Sequence, residues 1–124
     1  MKSFAELMQS GDWKGEKHVP VLQCPEKISA NEFFELKVLI GEAIPHPNTL
    51  EHHISWIKVF FLAEGKKFPV ELATFNFAAH GEGDIYDEPS GAAKIKLPAS
   101  GTLLAMSYCN IHGLWENSKN ITVE

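Results

Sequence analysis

Hydrophobic positions along this chain follow two periods. In residues 1–10, Phe4, Leu7 and Met8 recur at helical spacing, which predicts a short N-terminal helix stopped by Gly11. Beyond it the pattern is that of strands. Residues 33–40 end at Gly41 and alternate over Glu35, Leu36, Lys37 and Val38. Residues 54–62 are rich in aromatic and β-branched side chains, with Trp56, Val59, Phe60 and Phe61. Alternation returns at 69–78 around Leu72, Phe75 and Phe77, and at 92–97, where Lys94 and Lys96 oppose Ile95 and Leu97. The last long apolar run is 102–108; shorter strands are expected at 19–22 and 120–123. Glu64-Gly65, Gly81-Glu82-Gly83-Asp84, Pro89-Ser90-Gly91 and Ala99-Ser100-Gly101 supply the turns. About seven short strands with turns between them predict an all-β antiparallel sandwich or barrel.

The chain has 124 residues, the size of one domain, and we read 1–124 as a single unit. A hydrophobic fraction of 44% is enough for a core. The net charge of -5 gives no basic footprint for nucleic acid. No run approaches the length of a membrane helix, and Met1–Trp13, with Lys2, Glu6 and Asp12, reads as neither signal nor anchor. These features point to a cytoplasmic protein. Cys24 and Cys109 are the only cysteines, and no Cys-x-x-Cys pair occurs. That argues against a disulfide scaffold, a tetra-cysteine metal site and a redox dithiol.

The chemistry concentrates in three polar segments. Cys109 and His112 form a Cys-x-x-His turn in 107–113, close enough for both side chains to reach one ion. His46, bracketed by Pro45 and Pro47, opens His-Pro-Asn-Thr-Leu-Glu-His-His (46–53). The prolines stiffen that loop. His52 and His53 are adjacent, so only one is expected to face the same ion. His18 closes Gly-Glu-Lys-His (15–18). A thiolate with imidazoles is a soft donor set suited to a redox-active transition metal. His80 has no nearby partner and reads as a surface or hydrogen-bonding residue. Trp13, Trp56 and Trp115 read as core, with Trp115 also placed to wall the site. Two other classes use similar donors. A cupredoxin-like electron-transfer site takes one cysteine and two histidines with an axial methionine, yet the last methionine, Met106, precedes Cys109. A structural zinc module needs four ligands, and this chain offers five.

Three blocks, Gly-Asp-Trp-Lys-Gly-Glu-Lys-His-Val-Pro (11–20), His-Pro-Asn-Thr-Leu-Glu-His-His (46–53) and Ser-Tyr-Cys-Asn-Ile-His-Gly-Leu-Trp (107–115), resemble the signatures of superoxide reductases of the neelaredoxin and desulfoferrodoxin family. The missing cysteine-rich N-terminal domain makes the chain similar to the one-iron, neelaredoxin form. This resemblance implies an immunoglobulin-like seven-stranded β-sandwich or barrel. It also implies one mononuclear non-haem iron per chain, cycling between Fe2+ and Fe3+, held by His18, His46, His52 and His112 with Cys109 axial. Glu16 matches the carboxylate that closes the sixth position in the ferric state, and Lys17 the lysine that brings positive charge to the open face. The implied reaction is reduction of superoxide to hydrogen peroxide, with rubredoxin as electron donor and a homotetramer as the assembly. Amides following Cys109, those of Ile111 and His112, are expected to hydrogen-bond its sulfur.

Overall fold

The computed structural model describes residues 1–124 and contains two β-sheets facing each other, with one short helix. Its strands are β1 (Val21–Gln23), β2 (Lys27–Ile28), β3 (Phe34–Leu39), β4 (Ile54–Ala63), β5 (Val70–Asn76), β6 (Ser90–Ile95), β7 (Gly101–Cys109) and β8 (Gly113–Val123). The smaller sheet has the order β1-β3-β6 and the larger β2-β8-β7-β4-β5. Seven of these strands form the antiparallel framework expected from the alternation. The eighth, β2, is two residues long and pairs in parallel with the end of β8.

Alternation along the strands builds the core between the sheets. Leu36 and Val38 of β3 point inward while Glu35 and Lys37 point out. They meet Ile57, Val59 and Phe61 of β4, Leu103 and Ala105 of β7 and Ile121 of β8 in one buried cluster. Strand β7 shows the period most clearly: Gly101, Leu103, Ala105, Ser107 and Cys109 are all buried, and the residues between them are partly exposed. Cys109 is therefore the last inward position of a core strand, at one end of the sandwich.

Two elements differ from the sequence reading. Helix α1 covers only Phe4–Leu7, one turn of the expected 1–10. It buries no residue, and the side chain of its N-cap, Ser3, caps no backbone N–H of the helix. So short a helix with neither packing nor capping does not propagate. Beyond it, Gln9 joins the outer edge of β8 instead: its N–H donates to the Leu114 carbonyl at 3.0 Å, and its own carbonyl accepts from Glu116 at 2.8 Å. Strand β8 begins at Gly113, well before the expected 120. Residues 113–119 are mostly polar, but they pair with Leu103–Cys109 of β7, so the ladder overrides the weak local signal.

Candidate metal centre

The cluster lies where β7 turns into β8. Three residues, Asn110, Ile111 and His112, link Cys109 to Gly113, and Cys109 and Gly113 face each other across the hairpin. Gly113 takes φ +82°, the left-handed conformation that closes a three-residue hairpin loop. This tight turn brings the His112 N–H to 3.3 Å from the Cys109 sulfur. Of the two amides expected there, it is the one that donates; that of Ile111 makes no such bond.

The second donor segment is the loop between β3 and β4. It starts at Gly41 (φ +89°), where a side chain would press on the backbone of Pro45 and His46. Within the loop, the His46 Nδ1–H donates to the Pro47 carbonyl at 2.6 Å, which orients the ring and leaves its Nε2 with the lone pair. His52 is set by its own N–H, which Thr49 Oγ1 accepts at 3.0 Å. The loop is also tied to the hairpin. Asn110 accepts the His53 N–H at 2.8 Å and donates to the Glu51 carbonyl at 2.9 Å. At its exit, β4 shifts register against β7 between Ile54 and Trp56, a bulge of the kind that re-aims side chains beside sites.

His18 arrives from the segment before β1. It is buried, and its carbonyl accepts from the buried Ser107 hydroxyl at 3.3 Å. Its ring stacks on Trp115, with centroids 4.8 Å apart and planes 10° apart, so Trp115 does wall the cluster. Glu16 Oε1 accepts both the His18 backbone N–H (3.0 Å) and the ring Nδ1–H (2.6 Å). Glu16 thus holds the side of the ring turned away from the cluster. Burial pushes its carboxyl up, but the bonds from the His18 side chain and backbone outweigh it and the net direction is down.

Four imidazoles and one thiol converge. Centroid separations run 4.7 Å from His18 to His46, 4.7 Å from His46 to His52, 4.9 Å from His52 to His112 and 4.8 Å from His112 to His18. The diagonal from His18 to His52 is 6.4 Å, longer than every side, as in a square of four rings. Ligand atoms of His18, His46, His52 and Cys109 all lie within 4.8 Å of one another. His112 joins them through Nδ1, 3.2 Å from Nε2 of both His18 and His52 and 3.8 Å from the Cys109 sulfur. His53 turns the other way and stacks on His80.

A cation fits this arrangement. His46 Nε2 is buried and has no hydrogen-bond partner. A hydrogen on His112 Nδ1 could serve only one of its two 3.2 Å neighbours, so lone pairs are left facing each other. Neighbouring ligands on one ion, bonded at about 2.0–2.1 Å, sit about 3 Å apart. Burial pushes His46 down to about 4, helped by the charges of His18, His52 and Lys17 and opposed by its bond to Pro47. His52 is lowered by burial and by His112, His18 and Lys17. Both rings are thus kept neutral, as ligands must be. Lys17 is half-buried and makes no ion pair, so its charge acts on the cluster unneutralised. Met106 points out of the opposite face of β7 from Cys109, which removes the axial methionine of the copper reading.

The desulfoferrodoxin family profile matches residues 10–118. The chain belongs to the desulfoferrodoxin family. Among its relatives, the superoxide reductase of Pyrococcus furiosus is 46% identical, with 98% of this chain and 99% of that protein covered. The neelaredoxin of Megalodesulfovibrio gigas is 44% identical, with 98% of each covered. A solved structure from Thermotoga maritima, 46% identical, overlays with a TM-score of 0.96 over 100% of this chain and 99% of that one. Desulfoferrodoxin-type membership and the imidazole–thiol cluster agree on a metal-binding oxidoreductase.

Several residues around the cluster escaped the sequence reading. Ser107, Asn110, Thr49 and Gln9 all hold donor segments; Gln9 Nε2 donates to the His112 carbonyl at 2.7 Å. Ser107, Asn110 and Thr49 carried a signal, as polar residues inside the donor blocks; Gln9 carried none. His80, read as a surface or hydrogen-bonding residue without a partner, is a correction: it bonds as expected but is buried, with Asn48, Phe77 and His53 against it. The Asn48 and Phe77 acceptors lie far from it in sequence or belong to backbone, so no local pattern announced them.

Proposed function

We propose that this chain is a superoxide reductase, converting superoxide to hydrogen peroxide with one electron and two protons and releasing no dioxygen. The observation that carries the reading is the square of His18, His46, His52 and His112 beside the buried Cys109 sulfur. In this reading His18, His46, His52, His112 and the Cys109 thiolate would hold a single iron. Bound iron would supply the electron by passing from Fe2+ to Fe3+. The donor set favours a transition metal over a hard cation, and five donors exceed what a closed zinc site takes.

The chain's own residues shape the rest. Cys109 is buried, so its sulfur meets no water, and the His112 N–H withdraws some of its charge. Lys17 draws the anionic substrate to a protein whose net charge is negative. Trp115 and Glu16 fix the plane of His18. Glu16 would also serve as a ligand to ferric iron, which requires its carboxylate to leave His18 Nδ1. Protons come from solvent in this scheme, ordered by Lys17.

Residues 1–124 would act as one iron-binding domain, as the family match over 10–118 supports. Rubredoxin as electron donor and a homotetrameric assembly follow from the family resemblance. No helix is long and apolar enough to cross a membrane, and both cysteines are free, which fits the reducing cytoplasm. Iron content and product stoichiometry test the proposal: one iron per chain, with peroxide formed and no dioxygen evolved from added superoxide, is expected. Dioxygen release, or copper or zinc in place of iron with no superoxide reaction after iron loading, would overturn it.

A further inference from the structure

His80 stands outside the metal cluster, yet it is buried. Its Nε2 lies 2.8 Å from the Phe77 carbonyl and its Nδ1 2.9 Å from Asn48 Oδ1. A backbone carbonyl only accepts. The Asn48 amide is fixed in orientation, because its Nδ2 donates to the Asp87 carbonyl at 2.8 Å. Reversing the amide would set two oxygens against each other. Each ring nitrogen thus faces an acceptor, and an imidazole serves two acceptors only when both nitrogens carry hydrogen. Such a ring is a cation.

The surroundings suit one cation and not two. His53 stacks on His80 with centroids 3.7 Å apart and planes 4° apart. Two charged rings at that separation would repel, and His53 donates its Nδ1–H to the Thr49 carbonyl at 2.9 Å. Other titratable groups facing His80 are Glu82, Asp87 and Tyr86 of its own turn. Glu82 accepts the His80 backbone N–H at 2.6 Å. Asp87 Oδ2 accepts the N–H groups of Ala78 and Ala79 at 2.8 and 3.1 Å and so stiffens that turn. The turn is anchored to β4 where Phe77 N–H meets the Ser55 carbonyl at 2.9 Å.

Asn48 and His53 belong to the loop that carries His46 and His52, one near each end. We propose that His80 is a positioning residue: as a doubly protonated imidazolium it fastens the ligand loop to the 77–87 turn and so sets His46 and His52. The charge strengthens the hydrogen bond to Asn48, and the stacked ring holds the other end through His53. The consequence for metal binding rests on the metal reading above; the protonation state of His80 does not.

Two measurements on the full chain test this. Nitrogen-15 NMR of the metal-free protein at pH 7 should show both His80 ring nitrogens protonated, and Asn48→Ala should remove the hydrogen from Nδ1. A neutral His80 ring in the native chain would overturn the proposal. Ferrous-ion titrations should then find His80→Gln binding about ten- to hundredfold more weakly. That ratio should be largest at low pH and close toward unity above the pH at which NMR sees His80 lose its second proton. A ratio that is flat with pH, or absent, would also overturn the proposal. If the native chain takes up no ferrous ion, the metal reading fails and the NMR result alone decides the state of His80.

Discussion

Cys109 and His112 are delivered by a hairpin with three residues between its strands; His46 and His52 by a loop that runs from Gly41 to His53 without any strand. In the hairpin the backbone does the positioning. Strand register makes Cys109 the last inward residue of β7, and the Gly113 turn carries the His112 amide onto its sulfur. In the loop, hydrogen bonds with a side chain at one end do it. Pro47 orients His46, Thr49 orients His52, Asn110 ties the loop to the hairpin and Asn48 ties it to the 77–87 turn. Donors set by register depend on the fold as a whole. Donors set by side-chain bonds depend on single residues, each of which can be removed with the sandwich left intact.

The largest effect should follow from Cys109→Ser, which keeps the hairpin and replaces its sulfur. Iron affinity should fall beyond the roughly hundredfold range seen when outer partners are lost, and superoxide reduction should cease, as read by iron titration and by peroxide yield. Retained reduction would show that the hairpin's sulfur is not a ligand. On the loop side, Asn110→Ala cuts the tie between the two segments. Circular dichroism should be unchanged while iron affinity drops about tenfold; an unchanged affinity would mean the loop holds itself.

Acid gives a milder test of the loop. His46 is pushed from its usual 6.5 down to about 4 in the folded chain. The unfolded chain therefore takes up the proton first, so His46 favours the folded state fully above pH 6.5, and that contribution is lost as pH falls toward about 4. Melting temperatures of the metal-free protein should drop across this window, and His46→Gln should flatten part of the drop. Equal slopes for the two proteins would show that His46 is not held neutral. Smallest of all should be Lys17→Ala. It should slow the encounter with superoxide by about tenfold at low salt, with the difference shrinking as salt is added, and leave iron affinity nearly unchanged. A rate that ignores both the substitution and ionic strength would assign the steering elsewhere.

The same contrast explains what could be read in the sequence. Alternation and turn residues foretold the sandwich, and the Cys-x-x-His spacing foretold a turn bringing Cys109 and His112 together, because both are local patterns. Adjacent His52 and His53 were expected to diverge, and they do: one faces the cluster and the other faces His80. Illegible were the contacts made across the chain. Residues 113–119 became strand through pairing with β7, and the N-terminal apolar residues, expected to support a longer helix, leave Phe4 and Leu7 exposed. Ser107 looked like one more residue of an apolar strand, yet its hydroxyl holds the His18 carbonyl. The His80 environment depends on Asn48, brought beside it only by the folded loop.

X-ray absorption at the iron edge of the reduced, iron-loaded protein reads the ligand set itself. One sulfur and four nitrogen ligands around a single iron are predicted, with the sulfur lost in Cys109→Ser. An iron bound without sulfur in the native protein would exclude Cys109 as a ligand.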